Sequence, residues 1–218
     1  MVEKIISHDE YADDPSYGET VIAENVSFPD YLKLCDGQHA EWLTGTVMLQ
    51  ASKTVQHQSI LGFLALTLNL FLGSTSRGRL MLMGFTMFIS PNHAAREPDL
   101  LIVLNENRQR IKENYLNGPA DLVVEIVSVD SMVRDRGEKF IEYEAARIPE
   151  YWLIDPLRTE ANVYALGADG HYHPRPRDAE GRLTSQILPG FALHPDLLWR
   201  EQPPTGAELV ELVQQMTR

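Results

Sequence analysis

Between Val55 and Leu72 the apolar residues Ile60, Leu61, Leu64, Leu68 and Phe71 recur at three- and four-residue spacing. That period predicts a helix with one buried stripe, closed by Gly73. Ser27 ahead of Phe28-Pro29-Asp30 reads as a helix cap, with the short helix ending near Gly37. Glu41 to Leu49 reads as two strand segments around a Thr44-Gly45 turn. Arg79–Ile89 and Pro98–Val103 are predicted strands, and Asn117-Gly118-Pro119 a turn. A helix is expected over Ser131–Ala146, followed by a strand from Tyr151 to Asp155 that Pro156 ends. Val163–Leu166 and Gly170–Tyr172 suggest a hairpin with Ala168-Asp169-Gly170 at its tip. A last strand near Thr184–Leu188 and a helix over Gly206–Met216 complete the reading. The expected fold class is α/β (α+β), with a mixed sheet centred on segments 98–103, 121–127 and 150–154 and flanked by helices.

One residue breaks this pattern. In Leu122-Val123-Val124-Glu125-Ile126-Val127 a single carboxylate interrupts an apolar run of the kind that forms a strand covered on both faces. An unpaired buried charge costs at least several kcal/mol, so something must compensate it. A metal ion or a cationic partner would do so. A structural arginine or a frayed strand end would also account for it.

Length and composition add bounds. The 218 residues suffice for one domain with a sizeable core, here expected over residues 25–218. The longest apolar stretch, Ile60–Leu72, is broken by Thr67 and Asn69, which is short of a membrane span, and no signal-peptide pattern opens the chain. The single cysteine, Cys35, can form neither an internal disulfide nor a multi-cysteine zinc site, and a reducing cytoplasm is the natural setting. The net charge of −12 looks hostile to nucleic acid. Its distribution softens that, because residues 1–24 hold seven acids against one base and residues 201–218 three against one. Residues 1–24 are therefore expected to form an acidic, loosely ordered arm. Arg108, Arg110, Lys112, Arg134, Arg136 and Lys139 lie close in sequence to the Glu125 strand.

The candidate chemistry gathers around that strand. Asp99 opens one core strand, Glu125 sits in the next, and Lys139 follows on the helix after it. Carboxylates on neighbouring strands can share a hard cation such as Mg²⁺ or Mn²⁺, and the Ile126 carbonyl could add a ligand. A lysine beside them can orient or help deprotonate a water, or neutralise charge on a phosphate. By itself this trio is weak evidence, since most proteins contain such residues.

The motifs Pro98-Asp99, Asp121-Leu-Val-Val-Glu125-Ile-Val-Ser128, Asp135-Arg-Gly-Glu-Lys139 with Tyr143, and Ile148-Pro-Glu-Tyr-Trp152-Leu-Ile-Asp155 resemble the Uma-two family of the PD-(D/E)XK, restriction-endonuclease-like superfamily. The likeness spans roughly residues 25–200, with Glu41–Gly45, His57 and the Leu188-Pro-Gly190 turn included. It implies a restriction-endonuclease-like core, Asp99 and Glu125 as metal ligands, Lys139 as the catalytic lysine and Glu41 as a further acidic site residue. One departure stands out. The superfamily lysine belongs two residues after the acidic residue, where this chain has Val127. The resemblance moves that role to the helix, where Asp135, Lys139 and Tyr143 share a face at i, i+4 and i+8.

The leading expectation is a Mg²⁺- or Mn²⁺-dependent endonuclease acting on DNA, for which a homodimer would suit cleavage of both strands. A catalytically silent member that binds nucleic acid or protein is the alternative, and a hydrolase of small phosphoesters is a third. His57, Arg134 and Arg136 are candidate nucleic-acid contacts, each weighed against an ordinary helix-end role. His171 and His173 carry a low expectation as metal ligands, and Tyr151 and Trp152 read as core. No Gly-rich phosphate loop is present.

Overall fold

The computed structural model describes residues 20–50, 53–89, 94–128 and 135–217. Over these, two six-stranded sheets form. The first has the order β1-β3-β2-β6-β5-β8, from β1 (Thr20–Ala23), β2 (Ala40–Leu43), β3 (Thr46–Leu49), β5 (Thr86–Phe88), β6 (Ala94–Arg96) and β8 (Tyr115–Asn117). The second has the order β12-β11-β10-β9-β7-β4, from β4 (Gly78–Leu82), β7 (Leu100–Leu104), β9 (Leu122–Ile126), β10 (Glu150–Asp155), β11 (Glu160–Leu166) and β12 (Tyr172–Pro174). Helices α1 (Phe28–Leu34), α2 (Val55–Thr75), α3 (Glu138–Ala145) and α4 (Gly206–Met216) accompany them. A small ladder, β13 (Leu183–Thr184) with β14 (Ala192–Leu193), lies beyond β12.

The second sheet is mixed. β9 pairs parallel with β10 and antiparallel with β7. It is centred on the three segments whose apolar runs announced it. Alternation along these strands sorts their side chains. Leu100, Ile102, Leu122, Val124, Ile126, Trp152 and Ile154 join the core cluster containing the buried residues of α2. Leu101, Val103, Val123, Val127, Tyr151 and Leu153 join the cluster containing Tyr143 of α3. Glu125 falls in the second row, between Val123 and Val127. It therefore faces α3.

Local signals are met at several points. The Ser27 side chain accepts from the Asp30 N–H at the start of α1. Thr44 and Gly45 both take positive φ, 46° and 102°, to turn β2 into β3. The 163–172 hairpin forms as expected, and α4 matches its predicted bounds.

Elsewhere the structure departs from the expectation. α2 runs through Gly73 to Thr75 and ends on Ser76 in the left-handed conformation, φ 53°. A glycine in a helix costs about 1 kcal/mol, and Ser74 and Thr75 tie their hydroxyls to the Leu70 and Phe71 carbonyls. The single strand expected over Arg79–Ile89 is two, β4 and β5, in different sheets, with Gly84 at φ 88° where the chain crosses between them. The strand expected over Thr184–Leu188 stops at Thr184. The Ser185 hydroxyl and the Gln186 and Ile187 N–H groups bind the buried Glu150 carboxylate instead of a ladder. Part of the expected acidic arm is also strand, since residues 20–23 form β1 against β3. Residues 1–19, and the start of the helix expected from Ser131, lie outside the described residues.

α2 is 21 residues long with mean hydropathy 1.3, enough on length and apolarity alone to cross a membrane. Here it serves as a core helix, burying Ile60, Leu64, Leu68 and Phe71 against the second sheet and the α4 side.

Candidate functional site

Strands from both sheets, with α2 and α3, deliver charged groups to one buried cluster. The β7–β9 register places Asp99 beside Glu125, because Leu100 pairs with Val124 and the next residues outward are these two acids. The Ile126 N–H donates to Asp99 Oδ2 at 2.7 Å, fixing that carboxylate against β9. From α3, Lys139 Nζ lies 3.0 Å from Glu125 Oε1, 3.3 Å from Glu41 Oε1 and 3.4 Å from Asp135 Oδ1. One turn further on, the Tyr143 hydroxyl donates to Glu125 Oε1 at 2.7 Å. The shared helix face read from the spacing of Asp135, Lys139 and Tyr143 is thus the face that meets Glu125.

From the first sheet come Glu41 and Arg96. The β2–β6 register pairs Trp42 with Ala95 in the apolar core there, which leaves the next pair, Glu41 and Arg96, facing the other way. Arg96 Nη1 donates to Glu41 Oε2 at 2.7 Å, and its Nε and Nη2 bind both oxygens of Glu142 at 2.8 Å. The Glu97 N–H donates to Glu41 Oε1 at 3.3 Å. Thr54 caps α2 by accepting from the His57 N–H. This places His57 Nε2 3.1 Å from Asp99 Oδ1, although neither ring nitrogen makes a well-aligned hydrogen bond among the described residues.

Burial makes these charges matter. Glu41, His57, Arg96, Asp99, Glu125, Asp135 and Lys139 are all buried. Burial pushes the Glu125 carboxyl up, and Asp135, Asp99 and Glu41 add to the rise while Lys139 opposes it, leaving it at about 8. For Lys139 burial acts downward, but the charges of Glu125, Glu41 and Asp135 outweigh it and hold the ammonium above the ordinary lysine value. Glu41 would be raised by burial, yet Lys139 and then Arg96 pull it down to about 2. Glu97, buried and facing the Glu41 charge, is raised to about 8. The cluster therefore carries more acid than its two cations balance.

A hard divalent ion fits that excess. Asp99 and Glu125 supply oxygen donors side by side, and Mg²⁺ is commonly held by one or two carboxylates with several waters. The unaligned His57 ring shows that the polar groups around Asp99 are not fully satisfied by one another. No three His, Cys, Asp or Glu side chains among the described residues already converge as a ready-made metal cage. In this arrangement the Lys139 ammonium holds the centre of Glu41, Glu125 and Asp135.

The remaining candidates fall elsewhere. Arg136 is engaged with Asp155 at 2.5 Å and Glu160 at 3.1 Å. Arg134 lies outside the described residues. His171 pairs with Glu144 and His173 with Asp169 at the exposed hairpin. Tyr151 and Trp152 are core, as their apolar setting implied. Arg96 went unrecognised in the sequence. The only hint was the charged string Arg96-Glu97-Pro98-Asp99 before an apolar strand, and a basic residue there gives no sign of being fully buried.

Comparison with known proteins adds three findings. The family model of the Uma-two family, described as "Putative restriction endonuclease", matches residues 28–196. A crystal structure of a "putative nuclease" from Anabaena variabilis superposes with TM-score 0.64 at 16% identity, covering 80% of this chain and 97% of that one. At that identity it shows the fold. No curated protein matches.

Proposed function

Since this chain belongs to the Uma-two family of restriction-endonuclease type, we propose that it is a metal-dependent nuclease that hydrolyses phosphodiester bonds in DNA. The observation that carries this reading is the pairing of Asp99 and Glu125 on adjacent strands, with the Lys139 ammonium 3.0 Å from Glu125. Asp99 and Glu125, with the Ile126 carbonyl, would hold Mg²⁺ or Mn²⁺. Bound there, the ion supplies a Lewis acid for the phosphoryl oxygen and a more acidic water.

The chain's own groups divide the rest of the work. Its three carboxylate neighbours hold Lys139 protonated in the metal-free protein, and that charge would oppose the negative charge that grows on the scissile phosphate. Glu41 and Asp135 hold that ammonium in place. Arg96 in turn anchors Glu41 and ties it to Glu142 on α3. The Ile126 N–H orients Asp99, with His57 against its other oxygen.

Asp99→Asn is the informative variant, because its amide oxygen can still accept from the Ile126 N–H while the charge is lost. Incubated with supercoiled plasmid and Mn²⁺, the parent should nick or linearise it, and chelation should stop the reaction. The variant should be at least about 100-fold slower, the upper end of what losing even an outer-shell metal partner costs. Equal rates would remove Asp99 from the metal site. One observation favours a silent scaffold instead: the cluster is buried and Lys139 already occupies its centre. No cleavage by a folded parent with either metal would establish that reading. DNA binding, measured by anisotropy on a duplex, should weaken steadily with added salt as phosphate contacts give up their counterions. Affinity that ignores ionic strength would point to a protein partner.

A further inference from the structure

A polar cavity of about 200 Å³ lies beside the cluster just described. Buried Tyr31, Cys35, Thr86 and Glu97 line its interior, and exposed Asp36 and His39 line its rim. The Glu97 side chain is only 6% exposed, yet its Oε2 makes no hydrogen bond among the described residues. The nearest cationic group is His39 Nδ1, 3.5 Å away on a ring that is half exposed.

The donors around this carboxylate are already committed, the Ala40 N–H to the carboxylate itself. The Tyr31 hydroxyl donates to the Ala40 carbonyl at 2.6 Å. The Thr86 hydroxyl donates to Glu97 Oε1 at 3.3 Å. A ligand for Oε2 must therefore bring its own donor. Asp36 at the rim adds a second carboxylate on the solvent side, while Glu41 behind Glu97 is already paired with Arg96 and Lys139. A buried carboxylate oxygen left without a partner costs about 1–3 kcal/mol or more, so filling it is favourable. Leu32 and the Cys35 side chain give one wall an apolar character suited to a short alkyl chain.

We propose that this cavity is a binding site for a compact organic cation, an alkylammonium or guanidinium group whose N–H groups engage Glu97 and whose carbon chain lies along Leu32 and Cys35. The site is distinct from the Asp99–Glu125 pair and does not depend on nuclease activity. Gly84 keeps its mouth open. A Cβ at that position would meet His39 Cε1 at 3.2 Å and sit at φ 88°, crowding the imidazole.

Cys35 is the chain's single cysteine and lines the cavity, so its alkylation reports occupancy. Burial raises its thiol to about 11 and the Glu97 carboxyl to about 8, so the labelling is run above pH 8, where Glu97 is ionised, with a neutral reagent such as iodoacetamide. With butylammonium at ten times its Kd, labelling of the parent should slow about tenfold, following the free fraction of sites. Butanol at the same concentration should leave the rate unchanged. Glu97→Gln should label without protection by the amine, and His39→Ala should keep protection. Unprotected labelling of the parent in butylammonium would overturn the proposal. Equal protection by butanol would do the same, since it would mean apolar filling only. If Glu97→Gln fails to fold, the amine-against-alcohol contrast in the parent decides the matter alone.

Discussion

Lys139→Ala is expected to destabilise the protein by about 3–5 kcal/mol, the cost of removing one partner from a buried ion cluster. Its ammonium serves Glu125, Glu41 and Asp135 together, at 3.0, 3.3 and 3.4 Å, and is itself 3% exposed. Without it, Arg96 stays bonded to Glu41 and Glu142, and Glu125 retains the Tyr143 hydroxyl. Those bonds limit the loss without replacing the charge. Urea unfolding followed by tryptophan fluorescence reads the change in midpoint directly. A change worth less than about 1 kcal/mol would mean that Lys139 does not compensate the carboxylates. A sequence-level reading treats this lysine as catalytic alone, which would leave the fold intact when it is removed. Its threefold pairing gives it a structural duty as well, so lost cleavage in Lys139→Ala counts as chemical evidence only in molecules shown to be folded.

Metal-free stability should fall as the pH rises from about 4.5 to about 8. The Glu125 carboxyl has an ordinary value of 4.5 and is held up to about 8 in the folded protein. Within that window the folded state binds more protons than the unfolded state, so the slope of unfolding free energy with pH is negative. The contribution is fully present below 4.5 and is lost as the pH passes 8. Glu97, raised to the same region, acts in the same direction. Glu41 acts oppositely, since Lys139 and Arg96 hold it at about 2 and its contribution disappears only as the pH falls from 4.5 toward that value. Thermal melts should therefore peak near the acidic edge of the window. A tenfold difference in proton affinity between the folded and unfolded states is worth about 1.4 kcal/mol, so Glu125 alone changes stability by several kcal/mol at most. Glu125→Gln mimics the protonated side chain and leaves Lys139 with Glu41 and Asp135. It should flatten the decline, gaining little near pH 5 and most above pH 8. Mn²⁺ should stabilise the parent on the alkaline side, by about 2.7 kcal/mol at 100 times Kd, and should do little for the variant. Identical pH slopes in parent and Glu125→Gln would show that Glu125 is not the group responsible.

The sequence by itself determined what depends on near neighbours along the chain. Ser27 caps α1 because a hydroxyl three residues ahead of an N–H is a local matter. The apolar runs at 100–104, 122–126 and 150–155 became the adjacent central strands because only a doubly covered sheet position suits them. Glu125 stood out by interrupting one of those runs, and Asp135, Lys139 and Tyr143 shared a face by helical period. Tertiary structure decided everything that depends on which element lies alongside which. It surrounded Lys139 with three carboxylates, and it brought Arg96 from the other sheet to anchor Glu41. It turned Arg136 toward Asp155 and Glu160. It also ended a strand at Thr184 because Glu150 captured the N–H groups that a ladder would have used. The physical reason is range. Period, cap and turn act within a few residues, whereas the partner of a buried charge is fixed by strand register and helix docking, which join distant positions, as in the pairing of Arg96 with Glu41 55 residues away.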